Sequence, residues 1–122
     1  MKRRVVAVVP DLFFATRIVG TAESLGVTVE LPGAETAFET IRGSLPDLVI
    51  LDLTAPGDPL ALARSLKGDA ATRAIPLVGF YPHVDNAVRA GALAAGVDHV
   101  LPRSAFTARL ADLLAGDGSS PQ

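Results

Sequence analysis

The stretch Pro46-Asp47-Leu48-Val49-Ile50-Leu51-Asp52-Leu53 decides how the chain is read. Leu48 to Leu51 are apolar without interruption, and the carboxylate of Asp52 follows at once. A strand with one face in water alternates apolar and polar side chains. An unbroken apolar run instead suits a strand covered on both faces, as in a parallel sheet between two layers of helices. A carboxylate directly behind such a run stands at the carboxyl edge of the sheet. Taken alone, an aspartate there reads as a loop cap that bonds the backbone of its own turn.

Four more short apolar runs, rich in β-branched residues, lie on either side: Arg4–Val9, Val27–Leu31, Pro76–Phe80 and Asp98–Leu101, of which Val5 to Val9 is likewise unbroken. The segments between them show helical spacing. Phe38, Ile41 and Leu45 fall at i, i+3 and i+7, with Glu35, Glu39 and Arg42 off that stripe. Asp58-Pro59 combines an N-cap carboxylate with a proline at the first helical position, and Gly68 is placed to end that helix. Asp85 is positioned to cap the next helix, which buries Val88, Ala92 and Ala95 before Gly96. Ser104 is expected to cap the last, with Phe106, Leu110, Leu113 and Leu114 as its apolar face. Phe13 and Phe14 open an apolar first helix, with one of the two free to contact a partner.

Strand and helix therefore alternate five times, which predicts an α/β fold: a doubly wound parallel sheet with right-handed crossovers and helices on both faces. Function in such sheets gathers beyond the carboxyl ends of the strands, near the point where strand order reverses. That directs attention to Asp11, Asp52 to Pro56, Tyr81 to His83, and Pro102 to Ser104.

Composition narrows the possibilities further. The 122 residues match one domain, since domains cluster near ~100–150 residues. The expected division is a domain over 1–116 and a disordered tail over 117–122, where Gly, Ser and Pro gather. Eleven basic residues against thirteen acidic ones, net −2, argue against nucleic acid as a partner. The one basic run, Lys2-Arg3-Arg4, precedes an apolar stretch too short for a signal peptide. No segment approaches the ~20 apolar residues of a membrane span. Without cysteine there is no disulfide, thiolate nucleophile or thiolate-held metal. These features predict a cytoplasmic protein with neither membrane nor nucleic-acid partner.

From Arg4 to Ala115 the chain resembles the receiver domain of two-component response regulators, whose third strand carries the pattern Pro-Asp-Leu-Val-Ile-Leu-Asp found at 46–52. Asp69 to Val78 resembles the family's lead into the fourth strand, and Ala95-Gly96-Val97-Asp98 its lead into the fifth. The resemblance implies a flavodoxin-like (βα)5 sheet of order 2-1-3-4-5, with Asp52 as phosphoacceptor. It implies a magnesium site formed by Asp11, Asp52 and the backbone carbonyl of Thr54, with Arg103 at the position of the family's lysine. Tyr81 occupies the position of its switch hydroxyl. The implied partner is a histidine kinase or another signalling protein, and the only implied catalysis is self-phosphoryl transfer to Asp52.

Several positions depart from the family pattern. The usual pair of acids after the first strand aligns with Pro10 and Asp11, so one carboxylate is missing and the magnesium site is weak. Tyr81 carries its hydroxyl several ångströms farther out than a threonine would. Arg103 offers a planar fork in place of a point charge, the switch aromatic of the fifth strand aligns with Val100, and the loop containing Pro56 is one residue short. These departures support an alternative, a pseudo-receiver that works by contact without phosphorylation. A third reading is a small-anion sensor formed by Arg103, Ser104 and His83. His83 with Asp85 reads first as a loop residue beside a helix cap, and His99 as a strand histidine.

Other ligand-binding relatives of this architecture lack their motifs here. No Gly-x-Gly-x-x-Gly follows the first strand, and no Gly-x-Ser-x-Gly elbow exists. The turn at 10–16 has neither a hydroxyl-rich flavin-phosphate loop nor the histidine of cobalamin-binding domains, whose place Phe13 takes. With the five units filling the chain, a receiver here would be stand-alone, its output a surface that another protein reads. The last helix also carries Ala108, Ala111 and Ala115 beside its leucines, an apolar surplus compatible with a homodimer.

Overall fold

The computed structural model describes residues 3–82 and 85–116. The expected tail at 117–122 and His83 lie outside the described residues. The order is β1 (Arg4–Val8), α1 (Leu12–Leu25), β2 (Thr28–Glu30), α2 (Ala37–Ser44), β3 (Leu48–Asp52), α3 (Pro59–Gly68), β4 (Leu77–Tyr81), α4 (Asn86–Ala94), β5 (His99–Pro102) and α5 (Arg103–Ala115). The strands form one parallel sheet of order β2-β1-β3-β4-β5, the doubly wound arrangement expected.

The unbroken apolar runs are explained by burial on both faces. Val5, Ala7, Val9, Leu48, Ile50, Val78 and Phe80 pack with residues of α1 and α5. Val6, Val8, Val49, Leu51, Leu77 and Tyr81 pack with residues of α2, α3 and α4. The period-2 pleat divides each strand between two cores, so both sets must be apolar. Every residue of β3 and of β4 is buried. No helix among the described residues is long and apolar enough to cross a membrane.

The opposite edge of the sheet is held by side chains that sequence reading passed over. Asp47 pairs with the start of β1, its Oδ2 accepting from Arg4 N at 2.9 Å. Asp98 Oδ2 accepts from Leu77 N at 2.8 Å and from Lys67 Nζ at 2.9 Å. The same ammonium donates to the carbonyls of Arg73 and Ile75. At Asp69 the Ala71 N–H, with the Arg42 guanidinium beside it, holds the carboxyl below the usual aspartate range.

Two local expectations need correction. Leu45 continues the helical stripe on paper but is the α2 C-cap at φ 46°, 54% exposed. Ser104 does not cap α5: the N-cap is Pro102, and no side chain bonds the helix start. The proline's fixed φ (−63°) leads β5 directly into the helix, leaving Ser104 inside the first turn.

Candidate functional site

Three loops and two helix starts meet around the end of β3. Asp52, its last residue, is 7% exposed, which makes it one of two buried polar residues among those described. Its Oδ1 accepts from Thr54 N at 3.1 Å and from Thr54 Oγ1 at 3.2 Å. Those bonds orient the carboxylate, and no other donor among the described residues reaches it. The loop-cap reading therefore holds for one oxygen, which closes the turn, while the other meets no donor among the described residues.

Asp11 lies beyond β1, where it caps α1 by accepting from Phe14 N at 3.2 Å. Its other oxygen faces Arg103 Nη2 at 3.8 Å. Pro10, which the family resemblance aligns with a second acid, lies exposed next to Asp11 in the chain and has only its carbonyl to offer as a ligand. Arg103, the first residue of α5, therefore pairs with Asp11 and not with Asp52. Its guanidinium carbon stands 4.7 Å from the Phe14 ring centroid and 5.7 Å from that of Phe80. Its Nε is buried with no hydrogen-bond partner among the described residues. Aromatic faces attract a guanidinium, and here they support the cation in place of acceptors.

Tyr81 ends β4 and is 3% exposed, packed in the core that faces α2, α3 and α4. Its hydroxyl bonds no described residue. Asp85 caps α4, accepting from Ala87 N and Val88 N. Phe13, 91% exposed, and Leu12, 77% exposed, stand at the start of α1.

A cleft that sequence reading did not foresee opens beside Asp52. It holds about 420 Å3 between the loops after β1, β2 and β3, with Asp52 on its wall. The loop after β3 helps shape it. Gly57 (φ 94°) and Asp58 (φ 56°) are both left-handed, so the chain reverses in little space before Asp58 caps α3 through Ala61 N. A Cβ on Gly57 would stand 2.5 Å from the Ala34 Cβ, so this loop touches the one after β2.

Among the described residues no group of three His, Cys, Asp or Glu side chains is disposed to hold a metal. Two carboxylates remain, the free oxygen of Asp52 and that of Asp11 loosely paired with Arg103. Such a sparse, oxygen-only set fits magnesium, which keeps several waters and needs few protein ligands, but it forms no closed cage.

No protein-family model and no curated protein sequence matches the chain. Solved structures do. The chemotaxis response regulator CheY4 of Vibrio cholerae superposes with a TM-score of 0.82 at 16% identity, over 93% of this chain and 97% of that one. The receiver domain of the Pseudomonas aeruginosa sensor histidine kinase PA1611 has a TM-score of 0.80 at 20% identity, over 95% and 99%. That structure has a magnesium ion coordinated in its active-site cleft. The signal receiver domain of a DNA-binding response regulator from Colwellia psychrerythraea has a TM-score of 0.79 at 18% identity, over 92% and 98%. With its strand order and the placement of its helices, the chain has the fold of a response-regulator receiver domain.

Proposed function

We propose that the chain acts as a response-regulator-like module in two-component signal transduction, with Asp52 as phosphoacceptor and output through contact with another protein. The supporting observation is the position of Asp52. It ends a central strand, is shielded from bulk water, and is oriented through one oxygen while the other stays uncommitted. In this reading the free oxygen attacks the phosphorus of a phosphohistidine or acyl phosphate. An O–P bond forms, the donor's N–P or O–P bond breaks, and the leaving group keeps the electron pair. Phosphoryl transfer rests on positioning and charge screening more than on acid–base chemistry. Magnesium held by Asp11, Asp52 and the Thr54 carbonyl would supply that screening. Arg103 adds a cation from the start of α5, and the buried Tyr81 stands in place of a mobile hydroxyl.

The test is incubation with acetyl phosphate and magnesium, read by intact mass. Wild type gains one phosphoryl group and Asp52→Asn gains none; an adduct of equal yield on both rejects Asp52 as the acceptor. A second reading, a pseudo-receiver that signals by contact alone, is favoured by Pro10 in place of an acid and by an Arg103 engaged with Asp11 and two rings. Absence of any adduct at millimolar magnesium selects it. The anion-sensor reading weakens, because Ser104 is not a cap and the α5 start already holds the Arg103–Asp11 pair.

A further inference from the structure

The cleft beside Asp52 has a lining that phosphoryl chemistry does not call for. Its volume of about 420 Å3 lies within the ~300–1,000 Å3 of small-molecule sites. Pro10 and Leu12 line it where the first loop enters α1, Leu31 and Pro32 from the second loop, and Pro56 and Pro59 where the third enters α3. Proline fixes its own φ, so four prolines make a stiff rim and a preformed site, which lowers the ordering cost of binding. The contact between Gly57 and Ala34 fixes two of the three loops against each other.

Charge complementarity narrows the occupant. No basic residue lines the cleft, and Asp52 is its one charged group among the described residues. That carboxylate is 7% exposed and forms no ion pair among the described residues. Its two hydrogen-bond donors, both from Thr54, reach a single oxygen. A desolvated carboxylate is costly unless it is paired, so a cation brought by a ligand would gain more here than in water. An anionic ligand would meet an acid with no cation on the cleft wall to offset it. A purely apolar ligand would bury Asp52 further without a partner.

We propose that this cleft binds a small, largely apolar molecule carrying one protonated amine, the amine seated on the free oxygen of Asp52 and the apolar body against the proline and leucine walls. The site belongs to the unmodified protein. It stands whether or not Asp52 accepts a phosphoryl group, because binding is measured without magnesium or phosphodonor.

The experiment is a 1H–15N NMR titration of the whole chain with three indoles of equal body and different heads: tryptamine, tryptophol and indole-3-propionate. Tryptamine should bind saturably, with the largest shifts at Leu12, Ala34, Ala55 and Gly57. Tryptophol should bind roughly tenfold more weakly, the factor of a charge-assisted bond, and the propionate more weakly still. Asp52→Asn should bring tryptamine to the level of tryptophol. Ala55→Leu, which narrows the cleft without touching the carboxylate, should weaken both. The proposal is overturned if the three indoles bind alike, if Asp52→Asn with native-like dispersion keeps the amine preference, or if saturable shifts map away from the cleft. Absence of saturable binding by tryptamine overturns it as well.

Discussion

The guanidinium of Arg103 lies over Phe14 and Phe80, while its ion-pair partner Asp11 stands 3.8 Å away with both side chains more than a third exposed. Exposed ion pairs are screened and worth little, whereas stacking on buried rings is screened less. A double-mutant cycle between Arg103→Met and Phe14→Leu should return a coupling of about 0.5–1 kcal/mol. The cycle between Arg103→Met and Asp11→Asn should return less and vanish at high salt, with Asn keeping the α1 cap. Denaturant unfolding measures both, and the reverse ranking would make Arg103 an electrostatic residue first. The difference explains what was legible at this scale. Asp52 could be placed from sequence because it directly follows four apolar neighbours. The support under Arg103 could not, since Phe14 and Phe80 come from distant elements and meet only once the core of α1, β4 and α5 is packed. The cleft was hidden for the same reason, its walls being divided among three loops.

Among the elements, strands were easier to place than helix starts. Parallel strands buried on both faces must be apolar on both sides, so β1 and β3 leave unbroken runs that survive an error of one residue at their ends. A helix start turns on a single side-chain bond. Asp58 and Asp85 make theirs as expected, and Asp11, singled out for metal, caps α1 too. Ser104 has a capping residue's chemistry but follows Pro102, which sets the entry into α5 two residues earlier. Replacing a capping aspartate by alanine leaves helix N–H groups unbonded, so Asp85→Ala should cost about 1 kcal/mol. Ser104→Ala should be neutral or stabilising by up to about 0.5 kcal/mol, because alanine is the better helix former inside a first turn. Urea midpoints of the two variants decide the matter: an equal loss in both would restore Ser104 as a cap.

Across the whole molecule, the sheet order places β1 in the interior while α5, the last helix described, packs beside α1 on the same face. A tie between the two ends of the described chain would close that layer, and Arg3 provides it. Its Nε donates to the Leu114 carbonyl at 2.7 Å and its Nη2 to the Leu113 carbonyl at 3.4 Å. Its own carbonyl accepts from Thr28 N at 3.0 Å, at the start of β2. The cation thus meets the negative end of the α5 dipole, satisfies the Leu114 carbonyl and shares that of Leu113 with the Gly116 N–H. Gly116, left-handed at φ 65°, makes room for it, since a Cβ there would stand 2.5 Å from the guanidinium carbon. In sequence Arg3 belongs to the basic run Lys2-Arg3-Arg4 and shows only its charge, because its partners lie 110 and 111 residues away. Arg3→Met keeps most of the stem and removes the donors, so it should lower stability by about 1–2 kcal/mol. Hydrogen exchange separates this tie from a general surface effect. Amides in the final turn of α5 should exchange faster by more than the global loss accounts for, while those of β3 and β4 follow global unfolding. Uniform acceleration would reduce Arg3 to an ordinary surface charge, and unchanged protection at Leu113 and Leu114 would remove its role in closing the α1–α5 layer.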